Sequence, residues 1–297
     1  MMRHGQSSPA RTSRCSPIGL ALAAAVSLVA CKRDHTVSTP SLERSEESLE
    51  HSVGLARDML RYDLISWWAT DALFADGFDA SSLRGWLVTP GQETAGDARM
   101  LGVLPAGDVG VVASIRCDVA GGPSSCVIDR GFEPRPLSDE ERAMQRAIET
   151  ARADKFFVRA QSSYNTIALR AADHGVDAGW IVYIVASTTD PDVIPVGRHF
   201  RFDVSKNGSR VLRRRASHRS VMEFRRSEAG LKVAGIAATS VFDVLPSEFQ
   251  LYVSSLWRMP LTMVGCKGSI WSIDGLKATQ LESVAAKLRC FDPWNEK

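Results

Sequence analysis

No acidic residue precedes Asp34 in this 297-residue chain, while Arg3, Arg11 and Arg14 do. The apolar run from Ile18 to Ala30 holds only thirteen residues, and a helix that crosses a bilayer needs about twenty. A membrane-spanning reading of that run is therefore set aside. Catalytic signatures are scarce too. There is no Gly-x-Ser-x-Gly elbow, no His-Glu-x-x-His, no phosphate-binding loop and no Gly-x-Gly-x-x-Gly opening a helix. Internal repeats and low-complexity segments are also lacking. Charge of one sign is not in excess, with 36 basic against 34 acidic side chains, so bulk attraction to nucleic acid or anionic lipid is not the binding principle. Nucleic acid is not an expected partner.

A basic start, a short apolar middle and small residues before a cysteine make up a secretory signal. The stretch Leu28-Val29-Ala30-Cys31 resembles the lipobox of bacterial lipoproteins. That resemblance implies removal of residues 1–30, a lipid on Cys31 and a membrane as the first partner. Stable attachment takes at least two acyl chains. Lys32 follows the cysteine, where lipoproteins retained on the inner membrane often carry Asp, so the outer membrane, facing the periplasm, is the expected address. Loss of the three leader arginines brings the remaining charge close to balance.

Of six cysteines, Cys15 would leave with the signal and Cys31 would carry lipid. Cys117, Cys126, Cys266 and Cys290 remain. An even remainder in an oxidising compartment reads as two disulfides. Three pairings are possible, and Cys117 with Cys126 and Cys266 with Cys290 is preferred because each pair sits within one supersecondary unit. The spacing does not fit Cys-x2-Cys zinc knuckles, and neither metal nor other cofactor is expected.

The expected fold is α+β, with antiparallel sheets in a meander, packing helices and two disulfides. Residues 31–40 read as a polar tether, 41–132 as an N-terminal subdomain and 138–297 as a C-terminal one, separated by Pro134 and Pro136. Leu42, Leu49, Val53, Ala56 and Leu60 recur at helical spacing, whereas Tyr62 to Ala75, with Trp67 and Trp68, suits helix or strand equally. Strands are expected over Arg84 to Val88, Met100 to Leu104, Val109 to Cys117 and Cys126 to Arg130. Ser138 with Glu141 makes a capping box that opens a helix to about Lys155. Trp180 to Val185 suits a central strand. Phe200, Phe202 and Val204 alternate with Arg201 and Asp203 as in a half-buried strand, with a tight turn at Asn207-Gly208. Phe249, Leu251, Val253 and Trp257 suggest another strand, followed by Leu261 to Val264 and Ile270 to Ile273. Thr279 with Glu282 suggests a closing helix that buries Leu281, Val284, Ala285 and Leu288.

Asp203-x-Ser205-x-Asn207-Gly208 imitates the start of a calcium loop, but the twelfth position is Arg214 instead of a bidentate glutamate. Trp86, Trp180, Trp257 and Trp271 are expected in the core, and Trp294 at the surface.

The most unusual charge feature is a run of Arg210, Arg213, Arg214, Arg215, Arg219, Arg225 and Arg226, joined by Arg198, Arg201, Lys206, His199 and His218. In an extended chain Arg213 and Arg215 point one way and Arg214 the other, so some of them must be exposed. Such charges discourage edge-to-edge strand pairing. They also supply forks for carboxylates, which makes Arg198, Arg201, Arg213, Arg214 and Arg215 the candidate contact with an acidic protein partner. The expected function is then non-enzymatic recognition of an envelope or incoming protein, as an immunity-type inhibitor would do. The alternatives are an envelope hydrolase using His174 or His199 and a structural or assembly role.

Overall fold

Ser48 opens the first helix by accepting the His51 N–H at 3.1 Å, a side-chain cap of the ordinary kind. This computed structural model describes residues 48–91, 94–159, 163–218, 220, 222–228, 231–283 and 290. The leader, Cys31, the tether, Arg219 and Trp294 lie outside the described residues. Helix α1 (Leu49–Ala75) runs through the segment with Trp67 and Trp68 that periodicity left unassigned. It buries Leu55, Met59, Tyr62, Ile65, Ala69 and Leu73, one stripe at helical spacing, and stops where Gly77 takes φ 87°.

Strands β1 (Leu83–Pro90), β2 (Ala95–Val103) and β3 (Val109–Asp118) form an antiparallel meander. The two-residue strands β4 (Val127–Ile128) and β5 (Arg135–Pro136) both pair with β3. The Cys117–Cys126 disulfide closes the connection from β3 to β4. Helix α2 (Asp139–Ala153) carries the expected capping box of Ser138 and Glu141.

The second sheet contains β6 (Ser163–Arg170), β7 (Trp180–Ser187), β9 (Phe200–Val204) and β10 (Val211–Ala216), in the order β10-β9-β7-β6. Strand β8 (Val193–Pro195) leaves this sheet to pair with β11 (Glu223–Arg225), and β12 (Ser227–Glu228) pairs with β13 (Leu231–Lys232). The last sheet holds β14 (Ile236–Thr239), β15 (Leu261–Val264), β16 (Ser269–Asp274) and β17 (Lys277–Ser283). Helix α3 (Glu248–Trp257) crosses between β14 and β15, which are parallel, as a long helical connection permits. The fold is α+β, and among the described residues the strand pairs are antiparallel apart from this one.

The second sheet is covered on both faces. Phe200, Phe202, Val204, Val182 and Ile184 pack with Met144, Ala147 and Ala151 of α2. Ile181, Tyr183 and Val185 pack with α1 and α3. Residues before and after Pro134 and Pro136, such as Met59 and Tyr252, share that second cluster.

Four local expectations are corrected. The stretch at 249–257 is α3 and not a strand, because every side chain from Glu248 to Ser254 is buried and Ser247 with Gln250 caps the helix. The closing segment is strand β17 through Ser283, paired with β16, and Leu281 is 56% exposed; Val284, Ala285 and Leu288 lie outside the described residues. Strand β9 is buried on both faces, Arg201 and Asp203 included. The β9–β10 connection spans Ser205 to Arg210, and Gly208 takes φ 76°. Both disulfides form in the preferred pairing, the second joining Cys266 to Cys290.

Candidate functional site

Strand alternation in β9 sends Phe200 and Phe202 toward α2 and Arg201 and Asp203 toward α3. Arg201, 1% exposed, donates from Nε to Asp203 Oδ1 at 3.0 Å and from Nη1 to Glu248 Oε1 at 3.2 Å. Glu248 is the first residue of α3, and its other oxygen accepts from Arg215 Nη1 at 3.4 Å. Arg215 also donates to Asp243, whose second oxygen accepts from the Ser240 hydroxyl at 3.0 Å. Tyr183 donates to Glu248 Oε1 at 3.4 Å. At the rim, Arg213 Nε lies 2.8 Å from Asp203 Oδ2, its side chain 50% exposed.

Arg201, Arg213 and Arg215 therefore meet Asp203, Asp243 and Glu248, three cations against three anions. Burial of charge is tolerable only when pairing and hydrogen bonding replace water. Asp243 reports that tension. Burial raises its pKa most, Arg215 pulls it down, and Glu248 pushes it up again. Arg215 also lies 5.9 Å over the Phe249 ring, a cation–π contact.

Arg214 points to the opposite face, as alternation requires. It holds Asp154, at the end of α2, through Nε and Nη2 at 2.9 and 2.7 Å, and this fork lowers the Asp154 pKa. Arg198 sits half-buried at φ 60° in the turn before β9. Arg226 donates to the Trp257 carbonyl at 2.6 Å and covers the Trp257 ring, and Arg225 pairs with Asp190 at the surface. The arginine run is thus not one patch. Arg201 and Arg215 are interior residues, Arg213 and Arg214 border opposite faces of edge strand β10, and Arg198 lies beyond its far end.

Among the described residues the two candidate histidines, His174 and His199, have different surroundings. His174 Nε2 is 3.3 Å from Asp58 Oδ2. His199 is buried, and its Nδ1 accepts the Ala186 N–H at 3.0 Å, so its proton sits on Nε2. The ring stacks on Phe249 with centroids 5.9 Å apart. Burial pushes its pKa down to about 3, with His218 adding to the effect and the Val196 backbone opposing it. Burial alone brings His218 to about 4, and neither His218 ring nitrogen has a hydrogen-bond partner among the described residues. The Ser217 hydroxyl accepts from the His199 backbone N–H at 3.0 Å, and among the described residues neither the His174 nor the His199 ring is hydrogen-bonded to a serine hydroxyl.

Sequence reading missed a second buried polar site. Asp63 of α1 accepts from the Tyr252 hydroxyl at 2.7 Å and from Asn165 Nδ2 at 3.1 Å, which ties α1, α3 and β6 together. Burial raises the Asp63 pKa against both hydrogen bonds and lifts Tyr252 well above the usual tyrosine value. An aspartate on the inward stripe of α1 was the available signal. A shallow crevice between β1, β6 and α2, lined by Tyr62, Trp86, Met144 and Ile148 among others, carries neither imidazole nor carboxylate. Among the described residues no group of three or more His, Cys, Asp or Glu is placed to hold a metal ion, and no helix is long and apolar enough to cross a membrane.

Compared with family models, curated proteins and solved structures, the chain matches none.

Proposed function

We propose that this chain is an exported lipoprotein, anchored through Cys31 in the outer membrane and facing the periplasm, whose folded part binds another protein without catalysis. The observation that carries the export reading is the pairing of Cys117 with Cys126 and Cys266 with Cys290, a use of thiols that belongs to oxidising compartments. The lipobox sequence supports the anchor. The binding reading is supported by edge strand β10, where Arg213 and Arg214 stay partly exposed on opposite faces and the preceding Leu212 is 38% exposed.

Arg201 and Arg215 are too deeply buried to touch a partner. Within this reading they position Arg213, since Arg201 holds the Asp203 carboxylate that Arg213 leans on. An acidic partner suits such forks, as in an immunity protein that neutralises an incoming toxin. Mass spectrometry of the chain recovered from membranes tests the anchor, the expected result being an amino-terminal diacylated Cys31. An intact leader overturns it. Crosslinking in intact cells tests the contact. Arg213→Ala with Arg214→Ala should abolish the crosslinked partner at an unchanged level of folded protein, and retention of that partner overturns the assignment.

A further inference from the structure

The second half of α1 is apolar on two sides. Tyr62, Ile65, Ala69 and Leu73 face the core. Leu64, Trp67, Asp71 and Phe74 follow at intervals that place them on one outward face. Trp67 is 57% and Phe74 42% exposed, and Leu64 is half-buried. Lone exposed apolar residues are normal on a protein surface, but two aromatics and a leucine interrupted by a single carboxylate form a stripe. Just past the helix end, Arg130 pairs with Asp76 and stays largely in solvent.

We propose that the Leu64–Trp67–Phe74 face of α1 rests in the boundary between headgroups and acyl chains of the bilayer that holds the Cys31 lipid. This rests on the lipoprotein reading above. The spacer argues for that occupant. Residues 32–47 separate the lipid-bearing cysteine from Ser48, a reach of up to roughly 50 Å when extended. Trp67 lies about 27 Å along α1 from Leu49, at 1.5 Å per residue. The face is therefore within reach of the surface to which the chain is tied, and tethering turns its docking into an intramolecular event with a high effective concentration. Tryptophan favours this depth, where its ring is apolar and its N–H meets water. Asp71 makes an anionic surface a poorer host, so a zwitterionic one is the appropriate probe.

The experiment uses the full lipidated chain in phosphatidylethanolamine–phosphatidylcholine vesicles whose acyl chains carry bromine, a short-range quencher of tryptophan. The wild-type chain should lose fluorescence relative to unbrominated vesicles, and Trp67→Phe should remove most of that loss. Because Trp67 is exposed, this substitution leaves the fold intact, which an unchanged Tm verifies. Equal quenching in both chains while both sediment with vesicles overturns the docking and leaves the anchor standing. Failure to sediment overturns both. In detergent, Trp67→Ser with Phe74→Ser is expected to leave the oligomeric state unchanged. A dimer converted to monomer would assign the face to a second copy and overturn the proposal.

Discussion

Arg201 of β9 and Glu248 at the start of α3 meet at 3.2 Å, both shut away from solvent. Removing either one takes a counter-charge from the other in a dry interior, where Arg201 keeps Asp203 and Glu248 keeps Arg215. Glu248 serves Arg201 and Arg215 together, so Glu248→Gln leaves two guanidinium groups short of a counter-charge. Breaking a buried pair on one side costs about 3–5 kcal/mol. Urea denaturation should show a loss of that size for Glu248→Gln and for Arg201→Met. A loss below about 1 kcal/mol, the value of a surface pair, would mean that the cluster is solvated.

His199 and His218 make the fold sensitive to mild acid. Both have ordinary values near 6.5, lowered to about 3 and about 4 in the folded chain. Between those values the unfolded chain binds protons that the folded one refuses, so stability falls as pH drops from about 6.5. Each group contributes up to about 1.4 kcal/mol per pH unit. Glu141, lowered from 4.5 to about 2, adds to the loss only below pH 4.5. Asp63 and Asp243, both raised, act in the opposite sense. The diagnostic is therefore the difference between wild type and His199→Gln with His218→Gln, measured from pH 7 to 4.5. The wild type should lose stability more steeply, and parallel curves would contradict the assignment.

The Tyr252 hydroxyl is the shorter of two hydrogen bonds that reach Asp63. Tyr252→Phe leaves the carboxylate one donor poorer inside the protein, a change of about 1–3 kcal/mol. A chevron or equilibrium denaturation series should show it. Asn165→Ala should lose less, because its bond is longer and the site less buried.

Reduction should act on two separate staples. Closing loops of this size contributes about 2–4 kcal/mol per disulfide, chiefly through the unfolded chain. Cys117→Ser with Cys126→Ser should lower stability by such an amount while β1 to β3 remain paired, as amide exchange can show. The Cys266 and Cys290 pair should behave likewise, its loss releasing the chain beyond β17 from the β15–β16 corner.

What could be read in the sequence was what neighbours in the chain decide. The capping box of Ser138 and Glu141, the unbroken apolar strand β7 and the two cysteine pairs depend on short spacings, and each took the expected form. Segment 249–257 was misread because burial on every side erases helical periodicity and leaves an accidental alternation of Phe249, Leu251 and Val253. Ser247 with Gln250, whose side chain accepts from the Ser247 N–H at 2.9 Å, is the local signal that marks a helix start here. Thr279 with Glu282 imitated the same signal, yet pairing with β16 prevailed. The interior position of Arg201 was not legible from β9 alone, because its counter-charge lies 47 positions downstream. Nothing local distinguishes an arginine bound for solvent from one awaiting a distant glutamate.

That separation sets an order of events for a chain delivered from its amino terminus, whether by a ribosome or through a translocation pore. Until the segment with Asp243 and Glu248 emerges, strands β9 and β10 hold Arg201 and Arg215 without the carboxylates that this segment supplies, and Asp63 waits 189 positions for Tyr252. The first helix therefore cannot settle before the last third of the polypeptide has arrived, so the folded body closes late and as a whole, and carboxy-terminally shortened chains should remain open and prone to degradation.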